Sequence, residues 1–237
     1  MPARAVVSVV ALLSMVVCSR AFGQDPTTVG EFWPELSARY QGPSGLSQTV
    51  YAQLKNEEGY PTRQWNFGTD LSYQVKRIMR THLTNIDPSK EHAYVFGIGY
   101  EYLDTQGSSS PKYENRLKAQ ATGRHRPSDA ILIEDRNRFE FRWVNGTYSS
   151  RYRNRLRLEA DLRHHAFRYS PYLSAEVFYD WAKDSWNEQQ YSIGIQWPYK
   201  DKWVLDTYYL RQNCTTCDTP HLNVAGVSLE FFFGSLQ

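Results

Sequence analysis

The chain has 237 residues, enough for one sizeable domain or two small ones. Its 27 Lys+Arg against 25 Asp+Glu leave a formal net charge of +2, too even for a dedicated nucleic-acid binder. Aromatics reach 15%, with 17 Tyr and 7 Trp, yet the mean hydropathy is negative, which fits strands whose polar and apolar residues alternate and cancel on averaging.

Met1–Arg4 carries one positive charge, and an almost wholly apolar run follows from Ala5 to Val17. Small residues at Ser19-Arg20-Ala21 and Ala21-Phe22-Gly23 offer a cleavage point. This layout predicts a secretory signal peptide over 1–23 and a single mature domain over 24–237. The run falls short of the ~20 residues of a spanning helix. Met15-Val16-Val17 lacks the small residue wanted ahead of a lipidated Cys18.

Beyond the leader, apolar and polar residues alternate with period two, interrupted by turn residues. Phe32, Leu36, Ala38 and Tyr40 form the first apolar row, and Leu46, Val50, Ala52 and Leu54 the second. Trp65–Val75 and Tyr94–Tyr102 come next, then Tyr113–Arg124, the weakest of the candidates. Phe139–Trp143, Arg151–Leu162, Leu173–Trp181, Tyr191–Trp197, Trp203–Tyr209 and Ala225–Phe233 bring the candidates to eleven. Short connections are expected at Gln41–Ser44, Arg126–Asp129, Tyr169–Pro171 and Pro198–Asp201. Longer polar loops are expected at Asn56–Gln64, Asp104–Lys112, Asn145–Ser150, Lys183–Gln190 and Asn213–Pro220. Such alternation suits a barrel with turns on one side of a membrane and loops on the other. The stretch Lys76–Glu91 breaks it, being long where a short turn is due. An odd count is also unusual for a bacterial barrel, so a further strand at Thr28–Glu31 or Met79–Ile86, or an N-terminus threading the lumen, is expected.

A soluble periplasmic β-sandwich would alternate too. Three features favour a barrel instead. Tyr94, Tyr102, Trp143, Tyr152, Tyr179, Trp181, Trp197 and Trp203 lie near strand ends, as interfacial girdles require. Several candidates run past ten residues, long for a sandwich strand but right for a tilted crossing of ~9–11 residues. The chain finishes on Leu229-Glu230-Phe231-Phe232-Phe233, similar to the signal read by the barrel-assembly machinery. The reading is an all-β, antiparallel transmembrane β-barrel of about 10–12 strands, twelve if the count is even. Its expected place is the bacterial outer membrane, and its expected partners are lipid, lipopolysaccharide and the assembly machinery during insertion.

The tryptophan-led Phe32-Trp33-Pro34-Glu35-Leu36, the pair Asp135–Arg142 and Arg151–Arg157, Pro171–Tyr179 and Leu205–Tyr209 resemble a bacterial family catalogued as domain of unknown function 2490. The resemblance covers most of the mature chain and is most specific over 135–180. It implies a membrane β-barrel with no assigned activity.

In a barrel, Glu134, Arg136, Arg138, Glu140, Arg142, Arg151, Arg153, Arg155, Arg157, Glu159, Asp161, Glu176 and Asp180 point into the lumen. They predict a ladder of ion pairs across strands; the sharper alternative is an arginine-lined path or site for an anion. The order of charges along Arg151–Asp161 predicts a lumen more positive at one end. Strict register also turns Asp135 and Asn137 outward, which predicts a bulge near Asp135 or a position at the rim.

Cys214 and Cys217 read as a local disulfide, because Asp218-Thr219-Pro220 follows with no helical pattern and only His221 is near as a further metal ligand. No metal and no cofactor is expected. An outer-membrane lipid hydrolase or acyltransferase would need a Ser–His pair. His82, His92, His125, His164, His165 and His221 sit in no motif, and Ser185 is only a distant partner for His221. A loop-presenting structural protein is the third class, with Asp104–Pro111 as a flexible loop.

Overall fold

A strand with one apolar and one polar face needs a place for each, and an edge strand leaves its backbone groups unpaired. Closing the sheet on itself answers both needs. The computed structural model describes residues 28–57, 63–78, 87–107, 112–165, 167–200, 202–217 and 219–234, so the expected signal peptide and the proposed strand at 79–86 lie outside them. The strands are β1 (Thr28–Gln41), β2 (Leu46–Glu57), β3 (Arg63–Arg77), β4 (His92–Gln106), β5 (Lys112–Ser128), β6 (Ile131–Val144), β7 (Thr147–Ala160), β8 (Leu162–His164), β9 (Phe167–Asp180), β10 (Ser185–Tyr199), β11 (Trp203–Cys214) and β12 (His221–Gly234). Neighbours in sequence pair all the way round, β7 pairs with β9, and β9 pairs with β10 to complete the wall. Eleven strands thus close the barrel, with the short β8 outside the closure.

The odd count is accommodated by one seam. Eleven up-and-down strands leave the first and last running the same way, and β1 pairs with β12 in parallel from Thr28↔His221 to Gln41↔Gly234. Thr28–Glu31 is therefore the start of β1, not a further strand. β8 keeps the register of β7: Glu159 pairs with Tyr172 and, after a gap, Leu162 pairs with Tyr169. That gap falls opposite Pro171, which has no N–H to give to a ladder. Tyr169–Pro171, expected as a turn, instead lies inside β9.

Two expected loops also shrink. Asn145 and Gly146 both have positive φ (48° and 85°) and form a two-residue hairpin turn, the arrangement that an Asn-Gly pair favours. β10 begins at Ser185, so Lys183–Gln190 is mostly strand. With these corrections the longest connection between strands is the 78–91 segment, at the end expected to carry only short turns.

The outward face is apolar and exposed: Leu36, Phe67, Ile98, Leu156, Leu173 and Ile193 are each at least half exposed. Asp135 and Asn137 do face outward, but no bulge turns them, since the β6–β7 register is continuous from Ile131↔Ala160 to Val144↔Thr147. They are satisfied by one another's neighbours. Asn154 donates to Asp135 Oδ1 at 2.6 Å and to Asn137 Oδ1 at 3.2 Å, and Tyr152 donates its hydroxyl to Asn137.

Inside, tyrosines lie flat across glycines of the next strand. A Cβ on Gly226 would sit 1.9 Å from Tyr208 Cζ, and one on Gly68 would sit 2.2 Å from Tyr51 Cζ. The rings fill the lumen only because the neighbour has no side chain. Gly226→Ala is expected to destabilise the folded barrel by about 1–3 kcal/mol through overpacking. A urea midpoint equal to that of the unaltered protein would refute this account.

Candidate functional site in the barrel lumen

The lumen holds an elongated cavity of about 740 Å³ lined by the inward residues of most strands. Its most charged wall is β5–β6–β7–β9. Strand register alone stacks four rungs there: Glu134↔Arg157, Arg136↔Arg155, Arg138↔Arg153 and Glu140↔Arg151. Opposite charges meet in the outer two rungs and like charges in the inner two.

Each of the sequence-predicted residues can be placed. Glu140, with no exposed surface, accepts from Arg151 Nη2 at 2.9 Å and from Arg153 Nη1 at 3.0 Å. Arg153 Nη2 also meets Glu176 at 3.0 Å, and Arg136 Nη2 meets Glu176 at 2.9 Å. Arg155 pairs with Glu134 at 2.6 Å, Arg157 with Glu159 at 2.8 Å, and Arg142 binds Glu114 through two nitrogens at 2.7 and 2.9 Å. Arg138 points both Nε and Nη2 at the neutral Gln120, while the carboxylate of Glu140 lies 3.9 Å away. Asp161 sits at the rim, taking Arg126 and the hydroxyl of Ser170 at 3.0 Å each. Asp180 accepts from the backbone N–H of Ala182 and so caps the 181–184 turn. Phe178 stacks beneath Arg151 and Arg153, with guanidinium carbons 4.9 and 4.4 Å from the ring centre.

Several lumen residues escaped the sequence reading. β5 was the weakest candidate, yet its inward row holds Glu114, Arg116, Lys118 and Arg124. The signal was present as period-two charge opposite the small outward Ala119, Ala121 and Gly123. The larger omission is the 78–91 connection. Its last turn, Pro88–Glu91, folds into the barrel end. Lys90 Nζ reaches Glu159 at 2.5 and 2.7 Å and Gln196 at 2.8 Å. Asp87 accepts from Arg39 at 2.8 Å, and Arg39 also holds Glu230 at 2.8 Å. Arg124 donates to the carbonyl of Ser89 at 2.5 Å. One short turn is thereby tied to β1, β5, β7 and β10 at once. With Lys90 on Glu159, Arg124 on Glu134 and Arg126 on Asp161, the acidic end is neutralised.

At the other end, Trp33, Leu210, Leu222 and Val224 make a small apolar cluster on the inner wall, with Lys55 Nζ 3.9 Å above the Trp33 ring. Nearby, Cys214 and Cys217 are joined in a disulfide. Glu188 lies close to both sulfurs, but a disulfide leaves no thiolate to hold a metal. His221 Nδ1 lies 3.0 Å from Asn213 Oδ1.

A family model described as "Protein of unknown function (DUF2490)" matches residues 30–219. The chain belongs to this family. The DUF2490 match spans nearly every strand of the closed wall, including the arginine-rich strands β6 and β7. Comparison with curated proteins finds no match. Among solved structures, a mutant of the Rh. blastica porin aligns over 78% of this chain and 84% of its own, at 8% identity and a TM-score of 0.17. The DUF2490 barrel described above therefore rests on its own strand pairing.

Asp87 lies outside the strands, and burial alone would raise its carboxyl. Arg39, Lys90 and Arg124 outweigh burial and hold it below the ordinary carboxylate range. A depressed folded value stabilises above the unfolded value of about 3.9 and is lost as pH falls through the folded one. Asp87→Asn is therefore expected to lower the urea midpoint at neutral pH, and the difference from the unaltered protein to shrink progressively as pH falls below about 4. A difference that persists unchanged into acid would contradict the ion-pair account.

Proposed function

We propose that this chain is an integral outer-membrane barrel whose lumen is a narrow, charge-paired path, closed at one end by the inward turn 88–91. The single observation that carries the reading is the inversion of faces: large apolar side chains exposed outside, charged side chains enclosed inside. That pattern is unfavourable in water and is what a hydrocarbon surround selects. Strands of 12–17 residues, β8 apart, exceed a tilted crossing of ~9–11 and leave their ends beyond the hydrocarbon. The aromatics Trp143, Tyr148, Tyr179, Trp181 and Trp186 group around one rim, and Tyr169, Trp197, Tyr199 and Trp203 around the other. This agrees with interfacial girdles. An outward furrow of about 450 Å³, lined by Leu71, Phe96, Ile98, Ala119 and Phe139, suits an acyl chain of lipid or lipopolysaccharide. The aromatic last strand, with Phe231 and Phe233 outward, supports insertion by the barrel-assembly machinery. A leader over 1–23 would supply export.

The barrel is expected in the outer-membrane fraction, migrating at a different apparent size before and after boiling. An unshifted band in the soluble periplasm overturns the reading. In planar bilayers the unaltered protein is expected to pass little current. Lys90→Ala removes the tie between the 88–91 turn and Glu159, while Arg157 still neutralises that carboxylate. The variant is expected to fold and to conduct at least severalfold more. Equal currents for the two proteins would remove the turn from the closure.

A further inference from the structure

We infer that the middle of the lumen wall, at the rungs Arg136↔Arg155 and Arg138↔Arg153, is a binding site for a small oxyanion of the phosphate class. The inference deepens the lumen reading and needs the barrel, but it does not need the barrel to conduct.

Two observations meet there. The first is charge. Like charges directly opposite across strands destabilise a sheet, and here two such rungs lie side by side. Among the described residues, their four guanidiniums find only three carboxylates. Glu176 serves Arg136 and Arg153. Glu140 serves Arg153 but is shared with Arg151 and stands 3.8 Å from Arg116. Glu134 serves Arg155 but is shared with Arg124. Arg138 turns Nε and Nη2 to an amide oxygen, with the shared Glu140 no nearer than 3.9 Å from its Nη1. After the shared carboxylates are divided, the inner rungs keep a positive surplus.

The second observation is hydrogen bonding. The Nε atoms of Arg136 and Arg155 are buried and find no acceptor among the described residues, and the same holds for Arg157 one rung further along. All three line the cavity. Elsewhere on this wall the Nε donors of Arg116, Arg142, Arg151 and Arg153 are each taken by a carboxylate. Buried donors normally have partners, and each one left unpartnered costs free energy. A tetrahedral oxyanion offers several acceptor oxygens to neighbouring guanidiniums, which suit it by their forked geometry. Meanwhile the carboxylates of Glu35 and Asp206 are held by neutral donors, Gln53 and Ser228 for the one and Tyr172 and Gln196 for the other.

The test uses the full-length mature barrel folded in neutral detergent, its folding verified by heat-modifiable migration. Inorganic phosphate is titrated calorimetrically, with chloride at matched ionic strength as control. One phosphate is expected to bind per barrel. Arg136→Gln and Arg155→Gln are each expected to weaken it about tenfold or more, the loss of about one charge-assisted hydrogen bond. Arg142→Gln, whose partner is Glu114 outside these rungs, is expected to bind as the unaltered protein does. In phosphate-free buffer Arg136→Gln is expected to melt no lower than the unaltered barrel, because it relieves a like-charge rung while Glu176 keeps Arg153. No phosphate binding by the folded protein overturns the inference. So does undiminished binding by the folded Arg136→Gln and Arg155→Gln variants, and a lowered melting temperature for Arg136→Gln would assign that residue to structure instead. Phosphate binding by a barrel whose Lys90→Ala variant passes no more current than the unaltered protein upholds the site and sinks only the turn-closed path. A conducting Lys90→Ala variant without phosphate binding does the reverse.

Discussion

Closure of a single two-faced sheet is the constraint on which everything else depends. With no second layer to cover it, the polar face of every strand has to turn inward together. Closure pairs every long strand on both sides and leaves no open edge. It also brings the charges of all the strands into one narrow space. The barrel wall and the charged lumen are thus one consequence seen from two sides.

Enclosed charges have to be matched, and matching shapes the details. Tyrosines of one strand lie over glycines of the next, so that the lumen is filled without displacing the ion pairs. The 87–91 turn reaches inward because Lys90 and Asp87 meet complementary groups there: Glu159 and Gln196 for the amine, Arg39 for the carboxylate. A segment that looks anomalous as a turn is ordinary as a neutralising insertion. Where one partner of a buried pair is missing the cost is several kcal/mol, so the pairing at both ends of the lumen is strongly constrained. The inner Arg–Arg rungs depart from this local matching and stand apart for that reason.

The outward cluster of Asp135, Asn137, Tyr152 and Asn154 follows the same logic on the opposite face. Strand register places these groups outside, and no bulge removes them. They pair among themselves instead, which lowers the cost of an apolar surround.

Period-two alternation by itself determined the fold class and nearly every strand, because side-chain direction in a strand follows from position alone. Cys214 and Cys217 were legible through their spacing. Turn positions were less legible: Pro171 reads as a break in sequence but sits in a strand, opposite a gap that needs no N–H. Asn145-Gly146 carries the signature of a tight hairpin, which its polar neighbours concealed. Only the tertiary structure decided the rest. That eleven strands close requires one parallel seam between the two ends of the chain, and nothing local records it. Which arginines meet carboxylates depends on register between strands, and Lys90 reaches Glu159 and Gln196 across the lumen from far away in sequence. Whether a charge is matched is a property of the space it shares with other strands, and that space exists only once the barrel has closed.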